Sequence, residues 1–271
     1  MAIVSDEAYV LRSLRYGETS RIVDVFGRRH GRLHLIAKGA RDPKSPFGAA
    51  LEELTEIEIS FYLKPNRELH FLRQATILGA PLGLLTRPRR YHLASAAAEF
   101  IRRVLTEADP APSVYALLGD FLARLEQTEQ EPCGDGGLKA FQLRAVALLG
   151  YAPQLGACVG CGAAITAPAG FAVAEGGVHC ARCRSAGESL ALSPGAWLRL
   201  RRLTGAAPPA ATATAGPAPG RGPAESEQAE ARQVARVIEA FLRYHVPRYE
   251  GLRALRSLGD WMQLRRDRAQ E

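Results

Sequence analysis

Lysine is scarce in this chain of 271 residues, supplying four of its 35 basic side chains. A GC-rich genome produces the same arginine and alanine bias, so the abundance of arginine is no sign of function by itself. Catalytic motifs are missing too: there is no Walker loop, no Gly-x-Ser-x-Gly elbow and no His-Glu-x-x-His, and the six histidines are scattered among arginines. Catalysis is therefore not expected. Where an exported protein would carry a basic segment leading into an apolar run, this chain has Asp6 and Glu7; export is not expected and the chain reads as cytoplasmic. The one long stretch without charge, Ala145 to Ala174, is broken by Pro153, Pro168 and several glycines, which excludes a transmembrane helix. The remaining composition, 47% hydrophobic and 23% charged, describes a globular chain able to bury a sizeable core in one large or two to three small domains.

The most specific pattern lies among the five cysteines. Cys158-Val-Gly-Cys161 and Cys180-Ala-Arg-Cys183 form two Cys-x-x-Cys knuckles separated by 18 residues. Four thiolates on two short turns match the tetrahedral demand of a structural Zn²⁺, one per chain, with no position open for water. Gly160, Gly162, Gly176 and Gly177 let the backbone turn tightly enough for the sulfurs to converge. Paired disulfides would need an oxidising compartment that nothing here suggests, and a redox motif needs only one pair. His179 reads as a neighbour of the site and Cys133 as a free thiol.

Residues 8 to 80 read as five short strands with turns between them: Ala8 to Leu14, Arg21 to Phe26, Arg32 to Ala37, Thr55 to Tyr62, and about Glu68 to Leu78. Period two puts Leu33, Leu35 and Ala37 on one face, with Arg32, His34, Ile36 and Lys38 on the other; Ile57, Ile59 and Phe61 likewise alternate with Glu56, Glu58 and Ser60. Five strands in this length suggest a small barrel, and periodicity does not separate an OB-fold from an SH3-like barrel. From Pro88 the period becomes helical, with Leu93, Ala97, Phe100 and Val104 on one stripe. Further helices are expected over Val114 to Leu125, Leu138 to Leu149, from Ser193-Pro194 onward, Glu225 to Tyr244 and Gly251 to Arg268. Residues 206 to 224, rich in alanine and proline, read as a linker. The fold class is thus α+β: a β-barrel domain over 1–80, then a mainly helical domain over 81–271 with a zinc knuckle at 156–186.

Net charge is +7, and it is concentrated near the front: between Arg12 and Lys44 nine basic residues face three acidic ones. The strand-to-loop segment from Arg32 to Ser45 carries Lys38, Arg41 and Lys44, shaped by Gly39 and Pro43, and could present cations to phosphates together with Arg21. Tyr16 and His34 are candidates for base stacking. A solvated basic loop would look the same. A zinc-dependent nucleic-acid enzyme would need an open metal position or an acidic cluster; the dense one, Glu52, Glu53, Glu56 and Glu58, has the spacing of an outward strand face. A structural zinc module without DNA binding is the other alternative.

In combination these residues resemble the RecO family of bacterial recombination mediators. The likeness runs through Gly17-Glu18, Ser20-Arg21-Ile22-Val23, Phe26, Gly31, Ala37-Lys38-Gly39-Ala40-Arg41 and Lys44-Ser45. It continues through Phe141-Gln142-Leu143-Arg144, Leu149-Gly150-Tyr151, Cys158-x-x-Cys161-Gly162, Gly176-Gly177-Val178-His179-Cys180-x-x-Cys183, Leu192-Ser193 and Leu255-Arg256-Ser257. The resemblance implies an N-terminal OB-fold on a helical body bearing the zinc site. It also implies binding of single- and double-stranded DNA, annealing of complementary strands and, with RecR in the RecFOR pathway, loading of RecA on strands coated by single-stranded-DNA-binding protein (SSB). The SSB C-terminal tail would dock on the helical body, near arginines such as Arg102 or Arg144. The chain would be monomeric by itself and associated with the nucleoid. Two features depart from the family pattern: the composition of 206–224, and arginine at Arg256 where lysine is usual.

Overall fold

Fifteen residues at the N-terminus form one strand, β1 (Ala2–Tyr16), long enough to serve two partners. In the structure, a computed structural model that describes residues 2–64, 67–127, 136–184, 189–205, 223–247 and 249–255, this strand closes a barrel. Its first half pairs with β4 (Glu56–Leu63) and its second half with β2 (Ser20–Gly27), with an irregularity between Val10 and Arg12 where it bends from one to the other. The strand is longer than the expected Ala8 to Leu14 because Ala2–Glu7 have pairing partners in β4 that lie far away in sequence. β3 (Gly31–Ala37) and β5 (Leu69–Gly79) complete the order β1-β2-β3-β5-β4, with β3 and β5 parallel and every other pair antiparallel. This is an OB-like arrangement. The alternation sorts the faces as expected: Val23, Val25, Leu33, Leu35, Ala37, Ile57, Ile59 and Phe61 fill the interior, which Phe47, Ala50 and Leu51 of the β3–β4 connection help close.

Contacts divide the chain into two units, Met1–Cys133 with Leu252–Glu271, and Gly134–Gly251. In the first, the barrel is joined by α1 (Leu82–Leu85), α2 (Pro88–Val104) and α3 (Pro112–Gln127). Pro88 at the first turn pre-sets the α2 backbone, and Leu93, Ala97 and Phe100 are buried on its inner side. α3 lies against β1 through Tyr115, whose ring is 4.8 Å from Tyr9 and 5.7 Å from Phe26 and whose hydroxyl donates to Glu56 Oε1 at 2.9 Å. Burial pushes both tyrosines up, so each stays a neutral donor. A Cβ at Gly119 would stand 2.8 Å from the Tyr9 hydroxyl, closer than such contacts allow without a shift. Glu99 of α2 accepts from the Ala254 N–H at 3.0 Å, where the last helix begins; the rest of the helix expected to Arg268, and Ser257 with it, lies outside the described residues.

The second unit holds α4 (Gly136–Leu148), a small sheet of β6 (Gly170–Ala172), β7 (Gly177–His179) and β8 (Ser189–Leu190) in the order β7-β6-β8, then α5 (Pro194–Thr204) and α6 (Pro223–His245). Ser193 caps α5 by accepting from the Ala196 N–H at 3.2 Å, as its place before Pro194 predicts. Trp197 is wholly buried with its indole N–H on Leu155 O at 3.0 Å, and Phe141, Leu200, Val234, Ile238 and Phe241 of this unit are buried too. α6 starts at the second-last position of the expected 206–224 linker; residues 206–222 lie outside the described residues.

Candidate metal centre and cationic barrel end

Two turns of the second unit bring the four cysteine sulfurs together. In the first knuckle the Cys158 N–H donates to Ala163 O and the Gly162 N–H to Cys158 O, both at 2.8 Å, with Gly162 at φ 73°. The Val159 N–H, donating to Val178 O at 3.0 Å, ties this knuckle to β7, and the second knuckle follows β7 directly, its Cys183 N–H on Cys180 O at 3.1 Å. The two can approach because Gly160 has no side chain; a Cβ there would stand 3.0 Å from Cys183 Cβ. The sulfurs of Cys158, Cys161, Cys180 and Cys183 all lie within 4.8 Å of one another.

A tetrahedron of sulfurs about Zn²⁺ has edges of ~3.8 Å, and the Cys161 and Cys180 sulfurs are 3.8 Å apart. The Cys180 N–H, 3.3 Å from Cys158 Sγ, leads the hydrogen bonds that hold the Cys158 thiol down to about 6. Cys183 is pushed up to about 12, first by its hydrogen bonds with Cys161 and Cys180. Sulfurs this close cannot all be thiolates unless a cation sits among them, and an all-sulfur set suits a structural divalent ion. His179 stands outside this group; Cys133 lies outside the described residues. Among the described residues these cysteines are the one such cluster, so Glu52, Glu53, Glu56 and Glu58 do not converge as metal ligands.

The cations picked out near the front have different surroundings. Arg21 is not paired with Glu18 or Asp24 but with Glu52, at 2.9 Å, and also reaches Ser13 Oγ at 3.3 Å. Arg41 donates to the carbonyls of Glu18 and Gly17, at 2.8 and 3.3 Å, holding the β1–β2 turn while staying exposed. Lys44 is exposed, its N–H on Asp42 Oδ1 at 2.8 Å. Lys38 places its ammonium 4.9 Å from the centre of the Phe71 ring, and Lys64 does the same. Among the described residues no ion pair forms on Lys38, Arg41, Lys44 or Lys64. His34 is committed to Glu107 at 2.8 Å, whereas Tyr16 is exposed. Arg102, one of the two arginines considered for a partner tail, donates to Asp24 Oδ2 at 2.9 Å.

Sequence reasoning missed Phe71 and Lys64. The signal was faint: Leu69 and Phe71 are apolar on the strand face opposite Leu72, while His70 points its ring to the interior end, where burial pushes the imidazole down. Neutral His70 accepts the Lys64 N–H through Nδ1 at 3.4 Å, fixing the backbone that carries that cation.

Two family models cover the chain: "Recombination protein O N terminal" matches residues 1–81 and "Recombination protein O C terminal" matches residues 85–254. The DNA repair protein RecO of Streptomyces coelicolor is 35% identical over 263 residues, covering 94% of this chain and 98% of that protein. Its counterpart from Rubrobacter xylanophilus is 36% identical over 251 residues, 91% and 94% of the two chains. That of Anaeromyxobacter sp. is 32% identical over 243 residues, 88% and 90%.

Proposed function

The chain belongs to the RecO family, and from that premise we propose that it is a DNA-binding recombination mediator in DNA repair and not an enzyme. The barrel, residues 1–80, binds single- and double-stranded DNA; the protein anneals complementary strands and, with RecR, helps load RecA on SSB-coated DNA in the cytoplasm. The observation that supports this is the cationic end of the barrel, where Lys38, Arg41, Lys44 and Lys64 have no carboxylate partner among the described residues. Backbone-directed cations screen phosphate repulsion and leave base edges free to pair, which is what annealing requires. Arg21, whose charge Glu52 already offsets, contributes less. For the SSB tail, Arg102 is held by Asp24, which leaves Arg144 on α4 as the candidate of the two.

Cys158, Cys161, Cys180 and Cys183 hold one Zn²⁺ as scaffold: it fastens two turns that have little core of their own and does no chemistry. Elemental analysis should give one zinc per chain, and Cys161→Ser should lose the metal and melt earlier. A metal-free protein as stable as the metal-bound one would end the zinc assignment. Mediation is tested by annealing complementary oligonucleotides with and without SSB, using wild type and a Lys38→Ala/Lys44→Ala variant. Wild type should accelerate annealing and the variant should lag. Equal rates with and without the protein would refute the mediator reading.

A further inference from the structure

Strand register lines up an apolar row around the outside of the barrel. Leu14 pairs with Ile22, Ile22 with Ile36, Ile36 with Phe71, Phe71 with Tyr62, and Tyr62 with Ile3. Cross-strand partners point to the same face, and this face is opposite the one occupied by Val23, Leu35 and Phe61 in the interior. An outer face left to water is ordinarily polar, yet Leu14 is 44% exposed and Ile3 50% at the two ends of the row, while Phe71 is half-buried beside Ile36, which is buried. The row passes through the ring that Lys38 and Lys64 flank. Each lysine lies two residues beyond one of the ring's register partners, Ile36 and Tyr62, so period two delivers both to the ring's own face. They are two of the four lysines in the chain.

We infer that Phe71 is a stacking platform for an unpaired base of single-stranded DNA, with Lys38 and Lys64 moving from its ring to the flanking phosphates as the base arrives. The inference rests on the DNA-binding reading above and adds the strand state that the site selects. A ring shared by two ammonium groups in water holds them weakly, whereas a base stacks on an aromatic side chain more strongly, whatever its identity. The exchange therefore favours the bound state: the base takes the π-face, and the released cations gain full negative charges. Bases inside a duplex are already stacked on each other and cannot reach the ring, so Phe71 favours single strands while the lysines favour any phosphate backbone. An apolar shelf with two cations about one ring, and with Arg41 and Lys44 exposed in the loop that follows Lys38, suits a polyanion with flat apolar faces.

The test compares full-length wild type, Phe71→Ala, Phe71→Trp and Lys38→Ala/Lys64→Ala by fluorescence anisotropy, on a labelled oligo-dT and on a blunt duplex of equal length, over a range of salt. Phe71→Ala should weaken oligo-dT binding about tenfold, leave the duplex within about twofold, and keep the salt slope, since no charge is removed. The lysine pair should flatten the single-strand slope by about 0.7 per lysine. Phe71→Trp should restore affinity, and its emission should be quenched by oligo-dT and not by the duplex. If Phe71→Ala melts early, Phe71→Leu, which keeps apolar bulk without a π-face, takes its place with the same expectation. Unchanged oligo-dT binding by the Phe71 variants while the lysine pair weakens it would overturn the platform and leave DNA binding standing; so would equal losses on both DNAs. Unaltered binding by every variant would overturn the DNA site on the barrel itself. Loss of a protein partner's binding, with DNA affinity intact, would make the row a protein-docking face and also overturn the inference.

Discussion

The two ends of the barrel's outer face differ in how their charges are balanced. At one end Asp24, 7% exposed at its side chain, accepts two hydrogen bonds from Arg32 and one from Arg102, all at 2.9 Å, and the α2–α3 connection continues the cover through His34 with Glu107 and the Ala108 N–H on Arg32 O. At the other end Lys38, Arg41, Lys44 and Lys64 face water, an aromatic ring and backbone carbonyls. Cations therefore mean different things at the two ends. Where carboxylates answer them they hold α2 to the barrel; where none does, their charge remains available to a ligand.

Removing the compensating charge should have the largest effect. Asp24→Ala leaves two guanidinium groups part-buried without their partner and should cost about 3 kcal/mol in urea unfolding, with no change in the salt slope of DNA binding by the fraction that stays folded. A loss below about 0.5 kcal/mol would mean the two ends are less different than their geometry says. Next comes the open end: Lys38→Ala/Arg41→Ala/Lys44→Ala should bind single strands at least about tenfold more weakly, with a slope flatter by about 0.7 for each phosphate that is no longer neutralised. Its unfolding midpoint should stay near wild type, apart from what Arg41 gives the β1–β2 turn. An unaltered slope in a folded triple variant would move the DNA site elsewhere.

A smaller effect sits at the border of the two ends. Glu52→Ala should cost about 0.5 kcal/mol as an exposed ion pair and free Arg21, steepening the salt slope by up to about 0.7. No change in slope would keep Arg21 among the structural cations. Smallest is a pH dependence at His70. Its folded pKa is lowered by burial, so the unfolded chain takes up the proton first. Stability is full above about pH 6.5 and falls as the pH drops from there towards the lower folded value. His70→Gln should flatten that stretch of a stability–pH curve; an identical curve would place the titration on another group.

The change from period two to helical period near residue 80 marks where strands give way to helices. Contacts draw the line elsewhere, after Cys133, because Arg102, Tyr115 and Gly119 bind α2 and α3 to the strands. Periodicity reports which face of an element is apolar and says nothing of which element will cover it. The same limit applies to Arg21, whose neighbours in sequence, Glu18 and Asp24, are not its partner.

What the amino-acid order determined by itself is what depends on short range. The Cys-x-x-Cys turns, the alternation that sends Leu33, Leu35 and Ala37 inward, and the Ser193-Pro194 cap each need only a few neighbouring residues, whose backbone geometry is set by sterics and local hydrogen bonds. The tertiary structure alone decided which cations are neutralised and which are not. Glu52 meets Arg21, Arg102 meets Asp24, and Phe71 comes between Lys38 and Lys64 only when β5 enters the barrel between β3 and β4. Coulomb attraction and ring contacts act through space at a few ångströms, so their partners are chosen by barrel closure and register rather than by position along the chain.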